Sequence, residues 1–401
     1  MSAPNDSGAK SMVQDPGGCH YLDGWLAVRP DERGAASETL RRGGFDVEDV
    51  TIPALGDLLG DDSPIQDDRG EPPLGVLRMG VNPHRGATYL AHVDHPIEAS
   101  PIHGVGYEGH GGFMSGDGPG GPVDDLEGPD ECEIEGLIAV IDSGIFEDGL
   151  RPGWMSEKFV ENEDIDVEVV AKGDASHGTF VSSVIRTLAP GHGIAFAAAR
   201  PDLGRKLKSR HKEGEPIDPP THELEVLGAV GRLVRRYRDR PDDIVALNLS
   251  LGATRCGANH GFLMTLRTAV DVWRRNFGYD APIFAAGGNS PSLEPVYPGA
   301  FPWVRAVAAA EDGGGQVVWR DGVQEPGNGR PWITDVAPGV KIHGLSGVSA
   351  TESVWWSGSS FATAIATSQS VTGETFEVDA AMTHWRDLGV DYGQIAGLKH
   401  G

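Results

Sequence analysis

Residues 136–142, GLIAVID, form a continuous apolar run that ends on an aspartate, and Ser143-Gly144 follows it as a turn. Three later runs have the same character: DIVALNLSL (243–251), PIFAAGG (282–288) and WVRAVAAA (303–310). Short apolar runs without alternation are typical of parallel strands that are buried on both faces. The four runs therefore predict strands of one buried parallel sheet.

Helical segments alternate with these strands. Apolar residues recur at helical spacing along residues 181–188 and again along residues 224–237. This alternation predicts an α/β fold in three layers, with a parallel sheet that carries helices on both faces. Functional side chains of such sheets lie beyond the carboxyl ends of the strands, where Asp142 and Asn289 fall.

Four short segments carry residues suited to acyl transfer. They are AVIDSGI (139–145), DASHGTFVSSVI (174–185), IFAAGGNS (283–290) and SGSSFATA (357–364). A serine nucleophile needs a base to take its proton, the base needs a carboxylate to fix its tautomer, and the oxyanion needs hydrogen-bond donors. Ser360, His177, Asp142 and Asn289 are the respective candidates for these four roles.

The order Asp, His, Ser is that of the subtilisin-like serine peptidases, or subtilases, and the chain resembles this family in more than the order. The resembling segments are IDSG (141–144), SHGT (176–179), LNLSLG (247–252), AAGGN (285–289), YPGAFPWVRAVAAA (297–310), DVAPGVKI (335–342) and GSSFA (358–362). Together they cover about residues 134–365. The chain departs from the family at Ala364, where proline is usual, and in a polar insertion, residues 202–222, that we expect to form a surface loop.

The resemblance implies a serine endopeptidase that works through an acyl-enzyme on Ser360. His177 would act as general base and then acid, Asp142 would orient it, and Asn289 would donate to the oxyanion. The implied substrate-binding residues are Ser250, Leu251 and Gly252, as an edge strand for an extended peptide, and Ala286, Gly287 and Gly288, as the wall of a roomy apolar slot. No cofactor is implied, and no metal ligand can be named because no loop has an EF-hand pattern. The family-like context also favours a cis bond at Tyr297-Pro298.

Residues 21–100 predict a small α+β domain ahead of these segments. Its predicted elements are the strands GWLAVRP (24–30), GVLRMGV (75–81) and ATYLAHV (87–93) and the helix DERGAASETLRRGGF (31–45). On either side we expect a disordered N-terminus, residues 1–20, and a glycine-rich acidic linker, residues 101–133. The catalytic domain is predicted to occupy residues 134–401.

The chain is strongly acidic, with 59 Asp and Glu against 33 Lys and Arg and a formal net charge of −26. This charge argues against nucleic acid or an anionic membrane as the main partner. Three cysteines, Cys19, Cys132 and Cys256, cannot form a disulfide framework. The first residues lack an apolar signal core, and no run of about 18 apolar residues predicts a membrane span. We therefore expect a cytoplasmic protein, with export by a non-standard route left open.

Two other functions stay open at this stage. The chain could be a catalytically silent scaffold that binds peptides, or an interaction module, residues 21–100, with a peptidase as its effector. The position of residues 21–100 also suggests a domain that packs on the catalytic domain and inhibits it, as subtilase propeptides do. An unrelated accessory domain is the alternative interpretation.

Overall fold

The computed structural model describes two large sheets, three small sheets of two or three strands, the helices packed on the large sheets and the segments around the predicted site. The described residues are 12–14, 20–49, 74–105, 122–123, 128–130, 132–145, 151–162, 174–199, 221–254, 263–278, 281–289, 295–310, 318–319, 322–323, 332–345 and 352–373.

The strands in chain order are β1 (Met12–Gln14), β2 (His20–Val28), β3 (Val47–Asp49), β4 (Gly75–Met79), β5 (Ala99–Val105), β6 (Pro122–Val123), β7 (Gly136–Asp142), β8 (Val160–Asn162), β9 (His192–Ala198), β10 (Thr221–His222), β11 (Ile244–Leu249), β12 (Ala253–Thr254), β13 (Ile283–Ala286), β14 (Val296–Tyr297), β15 (Arg305–Ala310), β16 (Val318–Trp319), β17 (Gly322–Val323), β18 (Ile333–Pro338), β19 (Ile342–Leu345) and β20 (Ser353–Trp356). The α-helices are α1 (Arg33–Arg42), α2 (Pro83–Ala91), α3 (Asp174–Leu188), α4 (Glu223–Tyr237), α5 (Met264–Phe277) and α6 (Ser359–Thr372). Single 3-10 turns lie at Pro30–Glu32, Gly153–Met155 and Pro241–Asp243.

The central sheet has the order β18-β15-β13-β11-β7-β9-β8. All of its neighbouring strands are parallel. Strand β7 coincides with the first predicted run, and all seven of its residues are buried. The parallel sheet predicted from the apolar runs is therefore confirmed.

Alternate side chains of β7 enter two separate cores. Ile138 and Val140 pack with residues of α3 and α6, whereas Leu137, Ala139 and Ile141 pack with residues of α4 and α5. Successive side chains of a strand point to opposite faces of its sheet, so the two helix pairs lie on opposite faces. The predicted three-layer α/β architecture is confirmed.

A second sheet, antiparallel, is built mainly from the N-terminal residues. Its order is β10-β5-β2-β4-β3, and β1 also pairs with β2. Leu26 and Leu77 face a core shared with α1 and α2. Ala27 and Val76 face the other way, into the core that contains α4 and α5. The small N-terminal α+β unit is thus present, and it packs directly on two helices of the parallel-sheet unit.

One predicted strand of this unit is wrong. Residues 87–93, predicted as a strand, begin inside helix α2, which runs to Ala91. Asn82 caps that helix by accepting the His84 N–H at 2.9 Å, and Pro83 occupies its first position. Both features favour a helix start, and they outweigh the strand-like composition that follows.

The N-terminal disorder and the linker also need correction. Residues 12–14 form β1, although residues 1–20 were expected to be disordered, because they pair with residues 20–22 of β2, whereas β4 pairs with residues 25–28 of the same strand. Strand β5 extends to Val105, so the linker does not begin at residue 101. Residues 122–123 form β6 on β20. Most of the predicted linker and of the insertion at residues 202–222 lies outside the described residues, apart from β10 at the end of the insertion.

Two further observations concern the rest of the described chain. The Tyr297-Pro298 bond is cis, as predicted. Among the residues described, none of the helices has both the length and the apolar composition needed to cross a membrane.

Candidate active site

Asp142 is the last residue of β7 and is fully buried. Its Oδ1 lies 2.7 Å from His177 Nδ1 and also accepts the backbone N–H of Ser143 at 2.7 Å. The Ser143 hydroxyl is a third donor to the same oxygen, at 3.2 Å. Several hydrogen bonds to one carboxylate oxygen fix its position, so the strand end and the following turn together hold the aspartate towards the histidine.

His177 is the fourth residue of α3 and is 2% exposed. The helix begins at Asp174, earlier than the helical spacing along residues 181–188 indicates. A Cβ at Gly178 would overlap the carbonyl oxygen of Gly144, which belongs to the turn after Asp142. Gly178 therefore allows the first turn of α3 to touch the aspartate turn.

Ser360 is the second residue of α6 and is 1% exposed. Its hydroxyl donates to the carbonyl oxygen of Ser250 at 3.1 Å. The Ser250 hydroxyl lies 2.7 Å from the carbonyl oxygen of Ser360 and 2.9 Å from Asn248 Oδ1. Because a hydroxyl has one proton to donate, the Ser360 side chain has to turn away from Ser250 before His177 can accept its proton.

Asn289 follows β13 and is 8% exposed. Its Oδ1 accepts the backbone N–H of Ser359 at 2.7 Å. That donor identifies the oxygen end of the amide, so Nδ2 is the end left to donate. A Cβ at Gly358 would lie 3.3 Å from Nδ2, which places the donor beside the start of α6.

Aromatic rings surround His177. The Trp356 ring lies 5.7 Å from the imidazole at 82°, and the Phe361 ring lies 5.5 Å away at 43°. Trp356 lies four residues before Ser360 in the sequence, but no sequence motif connects it with the histidine. The link depends on the position of β20 relative to α3, which no local motif specifies.

Ser250, Leu251 and Gly252 do not form the expected edge strand. Strand β11 ends at Leu249 between β13 and β7, in the interior of the sheet. The three residues that follow it are buried, and Leu251 belongs to the core with α4 and α5. Their role in substrate binding stays a prediction.

The space beside Gly287 and Gly288 is filled by neighbouring residues. A Cβ at Gly287 would lie 2.8 Å from the Val307 carbonyl oxygen, and one at Gly288 would lie 2.8 Å from Val296 Cγ2. Ala286 packs on Val296, and all three predicted slot residues are buried. The small size of these three residues allows close packing with their neighbours. We expected a roomy slot because the residues are small, and the structure does not support that expectation.

Groups that could hold a metal are absent from the described part of the chain. No cluster of three or more His, Cys, Asp or Glu residues there has the arrangement of a metal site. His103, to which the sequence assigned no function, lies instead in a buried pair, with Nδ1 3.4 Å from Glu223 Oε1.

Comparisons with known proteins agree with this architecture. No protein-family model matches the chain, and no curated protein is a significant match. Among solved structures, fervidolysin from Fervidobacterium pennivorans, a keratinolytic enzyme related to subtilisin, superposes with a TM-score of 0.54 at 15% identity. The match covers 90% of this chain and 56% of that one, so the chain spans little more than half of fervidolysin.

Two other solved structures are similar at lower scores. The prenylagaramide maturation protease PagA has a TM-score of 0.41 at 20% identity, over 63% of this chain and 81% of its own. The epidermin leader peptide processing serine protease EpiP from Staphylococcus aureus has a TM-score of 0.44 at 11% identity, over 86% of each chain. The fold of this protein is subtilisin-like.

Proposed function

We propose that the protein is a serine endopeptidase that hydrolyses peptide bonds through an acyl-enzyme on Ser360. The buried hydrogen bond of 2.7 Å between His177 and Asp142 carries this proposal, since it is the bond that orients a general base. Phe361, the neighbour of Ser360, packs on the same imidazole and so brings the start of α6 to the base. The subtilisin-like fold supports the assignment.

The proposed reaction follows from the chemistry of the three side chains. Ser360 Oγ attacks the scissile carbonyl carbon while His177 Nε2 takes the hydroxyl proton. His177 then gives this proton to the leaving amine, which leaves an acyl group on Ser360. Water, activated by the same imidazole, hydrolyses the ester and restores the serine. Asp142 holds the imidazole in one tautomer and stabilises its cationic form.

Asn289 is the proposed side-chain donor to the oxyanion. The Ser359 N–H fixes its Oδ1, so Nδ2 is already directed to the start of α6 before a substrate binds. The N–H groups of Ser359 and Phe361 already donate to Asn289 Oδ1 and the Gly358 carbonyl oxygen, so the backbone N–H of Ser360, in the first turn of α6, is the proposed second donor. Loss of one such side-chain donor costs about 10²–10³-fold in kcat.

The proposed substrate is a peptide or protein segment in an extended conformation. Two segments flank the start of α6. The first consists of Ser250, Leu251 and Gly252 and contacts α6 through Ser250. The second consists of Ala286, Gly287 and Gly288 and is followed by Asn289, which also contacts α6. They are the proposed binding residues on its two sides. An extended peptide can satisfy its backbone groups on such segments, but the buried state of these residues requires the site to open first.

We also propose that the N-terminal unit restrains the enzyme. The nucleophile and the base are 1% and 2% exposed while that unit is packed in place. Strand β5 of the N-terminal sheet pairs with β10, directly before α4 of the catalytic unit. Restraint of this kind would reach the site through α4 and α5, the helices on which the N-terminal sheet packs.

A fluorophosphonate probe tests the proposed activity. Wild type and Ser359→Ala should be labelled, whereas Ser360→Ala should not, because the probe reacts only with an activated serine. Ser359 is a matched control, being adjacent, buried and of the same type. To allow for restraint by the N-terminal unit, a chain that begins near residue 120 is labelled in parallel. Failure of both wild-type forms to react would point to a silent scaffold.

A further inference from the structure

We propose that Trp356 is a positioning residue for His177, an inference that rests on the proposed peptidase function. The indole is 1% exposed and presents an edge-to-face contact to the imidazole, with centroids 5.7 Å apart at 82°. Edge-to-face ring pairs are attractive and directional. A contact of this kind constrains the orientation of the imidazole ring as well as its location.

Trp356 also joins the helix of the base to the helix of the nucleophile. It packs on Phe180, three residues after His177 on α3, at 5.4 Å and 88°. It packs on Phe361, next to Ser360 on α6, at 5.1 Å and 39°. Phe180 and Phe361 touch each other at 4.6 Å. The indole therefore packs on both helices at the place where they also contact each other directly.

The hydrogen bond to Asp142 fixes only one edge of the imidazole. It holds Nδ1, whereas proton transfer from Ser360 takes place at Nε2, on the opposite side of the ring. A small tilt about the hydrogen bond moves Nε2 by a large fraction of an ångström without breaking that bond. Trp356 and Phe361 pack against the ring and limit this tilt. The carboxylate fixes the position of Nδ1, and the two aromatic residues restrict the tilt of the rest of the imidazole ring.

Trp356 is itself anchored outside the central sheet. It lies on β20 and pairs with Ile342 of β19, and the other side of β20 carries β6. The backbone of β19 lies flat on the Phe180 ring, since a Cβ at Gly344 would be 2.9 Å from it. The three-stranded sheet therefore braces the aromatic cluster from one side while α3 and α6 hold it from the other.

Ordinary core packing is the alternative role for a buried tryptophan, and the chain contains a control for it. Trp273 on α5 is also fully buried and packs on Phe277, with centroids 4.1 Å apart. It belongs to the core on the opposite face of the sheet from His177 and Ser360. Replacing it removes similar packing without touching the base.

The test compares Trp356→Leu, Trp356→Phe and Trp273→Leu in the full-length chain. For each folded variant we measure fluorophosphonate labelling, kcat and KM for a peptide, and the solvent exchange of the His177 Nδ1–H by NMR. Misplacement of a catalytic group by about 1 Å costs on the order of 100-fold, so Trp356→Leu should lower kcat and the labelling rate about 10–100-fold. KM should change little, and Nδ1–H exchange should become faster. Trp356→Phe should recover most of the loss.

Trp273→Leu should leave labelling, kcat and Nδ1–H exchange unchanged. The proposal is overturned by Trp356→Leu that labels at the wild-type rate, or by an equal loss in Trp273→Leu. The NMR measurement separates this proposal from the proposed function. If wild type never labels, yet the exchange accelerates only in Trp356→Leu, the peptidase assignment fails while the positioning role stands.

Discussion

At the scale of single residues, the site depends on a few contacts of very short range. Asp142 receives hydrogen bonds from the residue that follows it and from His177, and Asn289 receives one from Ser359. Each partner is either a sequence neighbour or the start of a helix. The functional groups are therefore positioned by the backbone of strand ends and helix starts, not by long flexible side chains.

The triad should behave as one unit. Ser360→Ala, His177→Ala and Asp142→Ala are each expected to lower kcat by roughly 10⁴–10⁶-fold, because loss of any member removes proton transfer. The double variants should lose little more than the worst single variant. Steady-state hydrolysis of an unfolded protein substrate measures both effects. Losses that multiply from single to double variants would contradict the assignment of these residues to one catalytic unit.

Gly178→Ala should damage the site without altering any catalytic side chain. The new Cβ would overlap the Gly144 carbonyl oxygen and lie 3.0 Å from the Phe196 ring. Overpacking of this kind destabilises by about 1–3 kcal/mol, and relief of the clash moves His177 away from Asp142. Denaturant unfolding and probe labelling measure the two consequences.

Gly34→Ala is the matched control for that prediction. Gly34 also lies in the first turn of a helix, α1, and a Cβ there has no neighbour within 4 Å. Since alanine favours helix over glycine by about 0.5–1 kcal/mol, this variant should be slightly more stable and fully labelled. Equal behaviour of the two variants would show that contact with Gly144 is unimportant.

The catalytic candidates were named from short sequence segments, whereas their surroundings could not be predicted from the sequence. Asp142 and Ser360 lie in short segments of characteristic sequence, so the segment itself indicates the candidate, although their side chains contact His177 and Ser250 from other parts of the chain. The slot beside Gly288 depends on Val296 from a separate strand. The ring beside His177 is Trp356, nearly 180 residues later in the chain. Such contacts follow from the tertiary structure, and local patterns do not encode them.

At the scale of secondary-structure elements, a buried polar pair joins β5 to α4. His103 Nδ1 lies 3.4 Å from Glu223 Oε1, and the two side chains are 1% and 0% exposed. Glu223 is also in the first turn of α4, where the helix dipole favours a negative charge. The pair lies where the N-terminal sheet meets the catalytic unit, so it links the stability of the two units.

His103→Leu should destabilise the protein more than the double variant His103→Leu with Glu223→Leu. The single change leaves a buried polar carboxyl group without its neighbour, which costs about 1–3 kcal/mol, whereas replacing both members by apolar residues can be nearly neutral. A double-mutant cycle from urea unfolding measures the coupling. Additive losses would mean that the two side chains do not interact.

A histidine at the start of β9 should make stability depend on pH. Burial lowers the pKa of His192, and the Arg186 guanidinium lowers it further against the opposing effect of Glu135. The unfolded chain, with a histidine pKa of about 6.5, then binds a proton that the folded chain does not. The stability that neutral His192 contributes is therefore fully present above about pH 6.5. It decreases as the pH falls below that value.

His192→Gln should reduce this loss. Urea unfolding of wild type and variant at pH 7.5 and pH 5 compares the two slopes, since the variant has no proton to bind at this position. The backbone carbonyl of residue 192, which accepts a hydrogen bond from Arg186, is retained in the variant. Parallel decreases in the two proteins would assign the pH dependence to other groups.

The elements themselves were predictable to different degrees. The buried runs of the parallel sheet are apolar throughout, so β7 was identified without error. Helix α2 was missed because its signal is the Asn82-Pro83 start and not its periodicity. Strand β5 was not predicted because its sequence, ASPIHGV, contains proline and glycine. Its extended conformation is stabilised by pairing with β2 and β10.

At the scale of the whole molecule, helices α4 and α5 lie between two sheets. One side faces the parallel sheet and the other faces Leu22, Ala27, Val76 and Ile102 of the N-terminal sheet. An apolar interface of this kind keeps the two units together even if the chain between them is cut, since burial of apolar surface does not require covalent continuity. A cut in the chain between the two units would therefore not by itself release the N-terminal unit.

Wild type should cut itself between β5 and β6, whereas Ser360→Ala should stay intact. Strand β5 is hydrogen bonded to β2 and β10, and β6 to β20. Backbone held in a ladder cannot enter a protease cleft, so residues 106–121, between the two paired strands, are the expected site of the cut. Intact mass and N-terminal analysis of the two purified proteins locate the cut.

Cleavage alone should not release activity, because the N-terminal sheet remains packed on α4 and α5. Adding purified residues 1–110 to a chain that begins near residue 120, which retains β6, should therefore inhibit peptidolysis in proportion to occupancy. Apolar contacts dominate this interface, so inhibition should persist at high salt. A fragment that binds without inhibiting, or a wild type that is neither cut nor restrained, would instead identify residues 21–100 as an accessory module. The closed site would then require another mechanism of opening.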